Sequence, residues 1–241
     1  METKHAIKTS DGKVIEGILR GSLDKPLILL VHGLCGSMNE AMHYNAARYF
    51  EKHGFASFRF NLYSYEKDNR KLHECTLKPH GKDIDTVLQY LQGKGIKGVY
   101  AIGHSYGFPS ILHVTEKDMI IAIVSWDGSV LPRSDFQKLQ VINEPIKGRL
   151  LDEGYMAVMG DAMVVEEGIV DSERLAKEFK KPIKFITIAE DGNLEGGRKL
   201  YDNLPGENEF TVIEGASHCF VEDGKQEELY EETVHWIRKF I

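Results

Sequence analysis

The sequence predicts an α/β protein: a mostly parallel sheet with helices on both faces and a short cap insertion. Three observations carry that expectation. Short apolar runs such as Leu27-Ile28-Leu29-Leu30-Val31 recur along the chain. Bounded by turn residues, such runs are how strands buried on both faces read. Helix-like segments separate them, and strand–helix alternation produces parallel sheets covered on both sides. The pentapeptide Gly103-His104-Ser105-Tyr106-Gly107 stands where one such run, Gly98-Val99-Tyr100-Ala101-Ile102, meets a helix-like segment. A sharp strand-to-helix turn at that place presents a serine hydroxyl above the sheet.

The elements follow in order along the chain. Residues 5–7 and 13–20, divided by Ser10-Asp11-Gly12, read as a β-hairpin. The strand ending at Val31 comes next, and His32-Gly33-Leu34-Cys35-Gly36-Ser37 leaves it as a tight loop. Residues 39–53 read as a helix with Asn39 as its cap, and residues 55–60 as a strand. The polar stretch 61–79 reads as an irregular connection, followed by a helix over 81–92. After the serine turn, residues 106–114 read as a helix. Pro109 falls in its first turn, where a missing N–H removes no intrahelical bond. Strands over 120–125, 182–188 and 210–213 and helices over 195–204 and 226–241 complete the set.

Residues 131–181 break the alternation, being too long for an ordinary connection between two strands. They divide a core into an N-terminal part, 1–130, and a C-terminal part, 182–241. Tyr155, Met156, Val158, Met159, Met163, Val164 and Val165 supply the insertion with apolar, partly flexible side chains. These suit an adaptable apolar pocket and suit ordinary packing equally well.

Composition narrows the function classes. A chain of 241 residues suits one large α/β domain. The net charge of −7, with no basic stripe, argues against nucleic-acid binding and leaves neutral substrates favoured over polyanions. No apolar run approaches the roughly 20 residues of a membrane span. The first residues, Met1-Glu2-Thr3-Lys4-His5, lack a signal-peptide core, so a cytoplasmic location is expected. Cys35, Cys75 and Cys219 are odd in number and fit neither a disulfide framework nor a metal site. The ten histidines show no metal-ligand spacing, so neither metal nor cofactor is expected.

Three further segments bear on the serine. The loop His32-Gly33 follows a buried strand. Glu214-Gly215-Ala216-Ser217-His218 follows the strand 210–213, and small residues there leave an imidazole room to swing. Ala189-Glu190-Asp191-Gly192-Asn193 ends the strand 182–188. Together with the serine turn, these segments resemble the α/β-hydrolase family, especially its compact esterases and lysophospholipase-like members, over nearly the whole chain from about residue 11. The chain departs from the family pattern at Ala189, where relatives usually carry a glycine soon after the acid-bearing strand, and at Pro109, just inside the helix after the serine turn.

The resemblance implies a serine hydrolase with Ser105 as nucleophile and His218 as base, in the family's chain order, and with residues 131–181 as a cap over the serine. Asp191 is expected to orient the imidazole, with Glu190 and Asp127 as alternatives. The N–H groups of Leu34 and Tyr106 are expected to hold the oxyanion. His32 is read as a structural hydrogen bonder in its loop. The substrate class implied is a small-molecule carboxylic ester with a small to medium acyl group. Thioesterase, amidase or peptidase, carbon–carbon hydrolase and acyltransferase activities run on the same triad and stay open, as does a non-catalytic small-molecule receptor.

Overall fold

A computed structural model describes residues 2–132, 135–144, 146–152, 156–189 and 192–241. The main sheet has eight strands in the order β1-β2-β4-β3-β5-β6-β10-β11. They are β1 (Glu2–Lys8), β2 (Val14–Arg20), β3 (Leu27–Val31), β4 (Ala56–Phe60), β5 (Val99–His104), β6 (Ile120–Trp126), β10 (Ile183–Ile188) and β11 (Asn208–Ile213). The β1–β2 hairpin and the β2–β4 pair are antiparallel, and every other pair is parallel. The expected α/β class and mostly parallel sheet are therefore what the chain forms.

The apolar runs fill two cores at once. All five residues of β3 are buried. Leu27, Leu29 and Val31 point to one core and Ile28 and Leu30 to the other, as side chains of period two must. In β5, Val99 and Ala101 divide from Tyr100 and Ile102 in the same way. Helices α1 (Ala41–Lys52) and α7 (Lys225–Ile237) close one face, through Met42, Phe50, Leu229 and Trp236. Helices α2 (Leu77–Gly93), α3 (Gly107–Leu112), α5 (Ser172–Phe179) and α6 (Gly192–Asn203) close the other, through Ile84, Ile111, Phe179 and Leu200. Among the described residues no helix is long and apolar enough to cross a membrane.

Several boundaries differ from the sequence reading. Helix α1 starts at Ala41 with Glu40, not Asn39, as its cap residue; Asn39 instead donates its N–H to Ser37 Oγ at 3.2 Å. Helix α2 begins at Leu77, four residues before Gly81. Pro79, expected in the irregular connection, occupies the first turn of this helix, where proline is tolerated. Gly81 is needed inside that helix: a Cβ there would stand 2.4 Å from the His113 carbonyl oxygen of the helix it crosses.

Between β6 and β10 the chain builds a small antiparallel sheet of β7 (Val141–Ile142), β8 (Gly148–Asp152) and β9 (Met156–Met159), then α4 (Asp161–Glu167) and α5. Phe136, Leu151, Met159, Met163 and Val164 sink into the core shared with α2 and α3. Val165 is exposed, and Tyr155 lies outside the described residues. The buried methionines thus act as packing for the insertion.

Candidate active site

Strand β3 runs on through α1 to β4 on one side, whereas β5 is followed by β6 on the other. The carboxyl ends of β3 and β5 therefore border the point where the chain changes direction, the usual binding crevice of an open α/β sheet. Ser105, His218, Asp127 and the His32–Gly33 loop converge there.

Ser105 has φ +51°, in the left-handed region that side chains avoid. The surroundings hold it there. Its N–H donates to the Trp126 carbonyl at 3.0 Å, and its carbonyl accepts from Phe108 N at 3.2 Å and Ser129 N at 3.1 Å. The flanking glycines have steric reasons. A Cβ on Gly103 would lie 2.5 Å from Phe108 N, and one on Gly107 would lie 2.3 Å from the Val31 carbonyl oxygen. The strand-to-helix turn can form only with both bare. Ser129 Oγ stands 3.5 Å from Ser105 Oγ.

His218 Nδ1 is 2.5 Å from Asp127 Oδ2. Asp127 has no exposed surface, whereas the His218 side chain is 37% exposed. The acid is thus shielded while solvent reaches the imidazole. Asp127 Oδ1 accepts from Thr187 Oγ1 at 2.7 Å, and Asn193 Nδ2 stands 3.3 Å from Oδ2. Burial alone would push the Asp127 carboxyl up. Hydrogen bonds from His218 and Thr187, with the His218 charge, outweigh it and leave the carboxyl below the ordinary range.

Asp191 and Glu190, the expected acid and its neighbour, lie outside the described residues. The place at His218 Nδ1 that the sequence reading gave to Asp191 is taken by Asp127, one strand earlier. The physical reason lies in β10 and the start of α6. They supply Thr187 and Asn193 as donors to the carboxylate, so the segment expected to carry the acid instead holds Asp127, the residue that follows β6.

The loop after β3 is fixed by its own carbonyl. His32 Nε2 accepts from Leu62 N at 3.0 Å, so the ring proton sits on Nδ1, which donates to the Gly33 carbonyl at 2.8 Å. Tyr63 Oη and Gly36 N also donate to that carbonyl, at 3.0 and 3.1 Å. In a trans peptide the N–H points opposite to the carbonyl. Three donors on Gly33 O therefore turn the Leu34 N–H away from them, and the loop lies against the serine: a Gly33 Cβ would be 3.0 Å from Ser105 Cβ. Tyr106, the other expected oxyanion donor, is buried at the start of α3. His32 is structural, as the sequence reading has it, and burial pushes its imidazole down to about 4.

Sequence reasoning missed His104. It is buried, donates Nε2–H to the His218 carbonyl at 2.9 Å, and packs its ring 4.7 Å from the His218 ring. Burial, with His218 and His43 nearby, pushes it down to about 3, so it is a neutral brace for the loop that carries His218. No sequence signal marks it except its place beside the serine. A cavity of about 370 Å³ opens next to the β3 loop, lined in part by Cys35, Gly36, Tyr63 and Leu72 and by Ala157 of the insertion. Among the described residues no group of three His, Cys, Asp or Glu side chains is placed to hold a metal ion.

A family model described as the alpha/beta hydrolase fold matches residues 26–118. No curated protein matches the chain in sequence. Solved structures match it in shape over nearly its whole length. Est1E from Butyrivibrio proteoclasticus, with ferulic acid bound, has a TM-score of 0.82 at 18% identity and covers 98% of each chain. The esterase domain of a Rhodothermus marinus protein has a TM-score of 0.80 at 17% identity and covers 100% of this chain and 99% of its own. A dienelactone hydrolase from Anabaena variabilis has a TM-score of 0.72 at 15% identity, covering 100% of this chain and 98% of its own.

Proposed function

We propose that this chain, which has the α/β-hydrolase fold, is a serine hydrolase that cleaves carboxylic esters of small to medium acyl groups. The observation that carries the reading is the 2.5 Å Asp127–His218 hydrogen bond beside a serine held at positive φ. Ser105 attacks the ester carbonyl as His218 takes its proton. Asp127, in place of Asp191, fixes the ring tautomer and stabilises the imidazolium. The N–H groups of Leu34 and Tyr106 receive the oxyanion. Two preset donors of this kind are worth several kcal/mol in the transition state. His218 then protonates the leaving alcohol, and its exposed ring activates water against the acyl-enzyme.

Residues 131–181 serve as the cap, a role supported by Ala157 lining the cavity beside the oxyanion loop. The structural neighbours named as an esterase domain and as a protein holding ferulic acid support ester chemistry.

The test is hydrolysis of p-nitrophenyl esters of rising acyl length by the native chain and by Ser105→Ala. Turnover should fall about 10⁴-fold or more in the variant, since removing a triad member leaves only the residual catalysis of the oxyanion hole and binding. A folded native chain that turns over none of these esters would overturn the ester reading.

A further inference from the structure

The cavity beside the oxyanion loop does not end there. A surface groove of about 570 Å³ runs along the β1–β2 hairpin, and cavity and groove share Asn61, Ser64 and Tyr65 in their walls. The two form one trough from Cys35–Ser37, at the proposed oxyanion loop, to Lys4 and Glu16 at the sheet's antiparallel edge. An acetyl group would leave nearly all of it empty.

Two side chains show what the trough suits. Asn61 is 9% exposed. Its Oδ1 accepts from Met38 N at 2.9 Å, which fixes the amide's orientation. Its Nδ2 has no partner among the described residues, and the residue lines both parts of the trough. That leaves a donor of fixed orientation free to meet a ligand oxygen in place of solvent. Tyr65 is 82% exposed where the two parts join. An aromatic ring left in water at the lip of the groove offers a flat apolar face with a hydroxyl at its end, a surface on which the C–H face of a pyranose can stack. Glu16, Glu40 and Glu66 line the trough against a single lysine, Lys4. That balance repels anions and supplies acceptors for hydroxyl groups.

We infer that the trough binds an uncharged, hydroxyl-rich part of the substrate, a glycosyl or polyol group, next to the scissile ester. The inference rests on the serine-esterase reading and names the substrate class of that same site. The hydroxyl groups belong to the alcohol or to the acid half of the ester, and the test separates the two.

Turnover of 6-O-acetylglucose is compared with that of hexyl acetate, and turnover of methyl gluconate with that of methyl hexanoate. In one of the two pairs the hydroxylated ester should have a kcat/KM at least tenfold above its alkyl counterpart. Tyr65→Ala removes the platform. Asn61→Asp keeps the acceptor for Met38 N–H and removes the free donor. Each should cut that ratio about tenfold. The inference is overturned by alkyl esters winning in both pairs, by acetylcholine outperforming 6-O-acetylglucose, or by a ratio unmoved in both variants. Turnover of p-nitrophenyl acetate that Ser105→Ala abolishes keeps the hydrolase reading standing through any of these results. A native chain that cleaves none of these esters overturns the hydrolase reading instead. Cellobiose titrated into the native protein then decides the trough: saturable binding weakened about tenfold by Tyr65→Ala supports it, and no binding overturns it.

Discussion

At the serine turn, what shapes Ser105 lies within a few residues or on the adjoining strands. Gly103 and Gly107 clear the backbone around it, and Trp126 takes its N–H. The proposed acid–base pair is assembled differently. Asp127 and His218 are 91 residues apart in sequence and meet only because β6, β10 and the loop after β11 lie in one order across the sheet. A local site is limited by sterics, and a remote one by register. The first tolerates no change of shape, whereas the second tolerates none in donors and acceptors.

The sharpest way to break the remote half is to remove the acid's charge. Asp127→Asn should lower kcat about 10³- to 10⁴-fold, because the amide favours the wrong imidazole tautomer. Asp191→Asn should change kcat less than about threefold. Steady-state kinetics of the two variants side by side decide between the carboxylates, and the opposite ranking would return the acid to Asp191.

The local half breaks through shape. Gly107→Ala places a methyl group against the Val31 carbonyl oxygen and should lower unfolding free energy by about 2–3 kcal/mol in urea denaturation. The brace that links the halves is expected to matter less. His104→Leu removes the donor to the His218 carbonyl and should lower kcat about tenfold with little change in KM. His104→Gln, which keeps a donor at that reach, should restore most of the loss.

Acid sharpens the comparison from the other side. His32 and His104 are held neutral down to about 4 and about 3, while the unfolded chain's histidines take protons near 6.5. The unfolded state therefore binds more protons as pH falls below about 6.5, and stability falls with it. Each buried histidine adds about 1.4 kcal/mol per pH unit until its own folded value is reached. Urea midpoints between pH 7 and 4 should drop accordingly, and less steeply in His104→Gln.

The same contrast explains what the sequence made readable. Gly103–Gly107 and His32-Gly33 could be read because their spacing is itself the geometry. The two-sided burial of β3 and β5 was readable from unbroken apolar runs. Asp127 was visible only as one of three carboxylates, since nothing local states which strand end faces the base. Thr187, Asn193, Ser129 and His104 carry no pattern of their own and acquire their places from strand order. The insertion's small sheet, β7 to β9, was not anticipated, because its strands are short and their partners form only after the chain turns back.

Five non-glycine residues among those described have positive φ. One, Lys180, ends α5. The other four are Cys35 in the loop after β3, Ser105 at the turn, Asp127 and Phe220, two residues past His218. Each such conformation is unfavourable by about 1–3 kcal/mol. On the proposed function, this edge of the sheet is where selection for thermal robustness and selection for turnover conflict. A lineage drifting toward heat resistance would first relax the backbone where no core packing is lost, with glycine or asparagine at the half-buried Cys35. It would gain melting temperature as the reacting groups lost their aim.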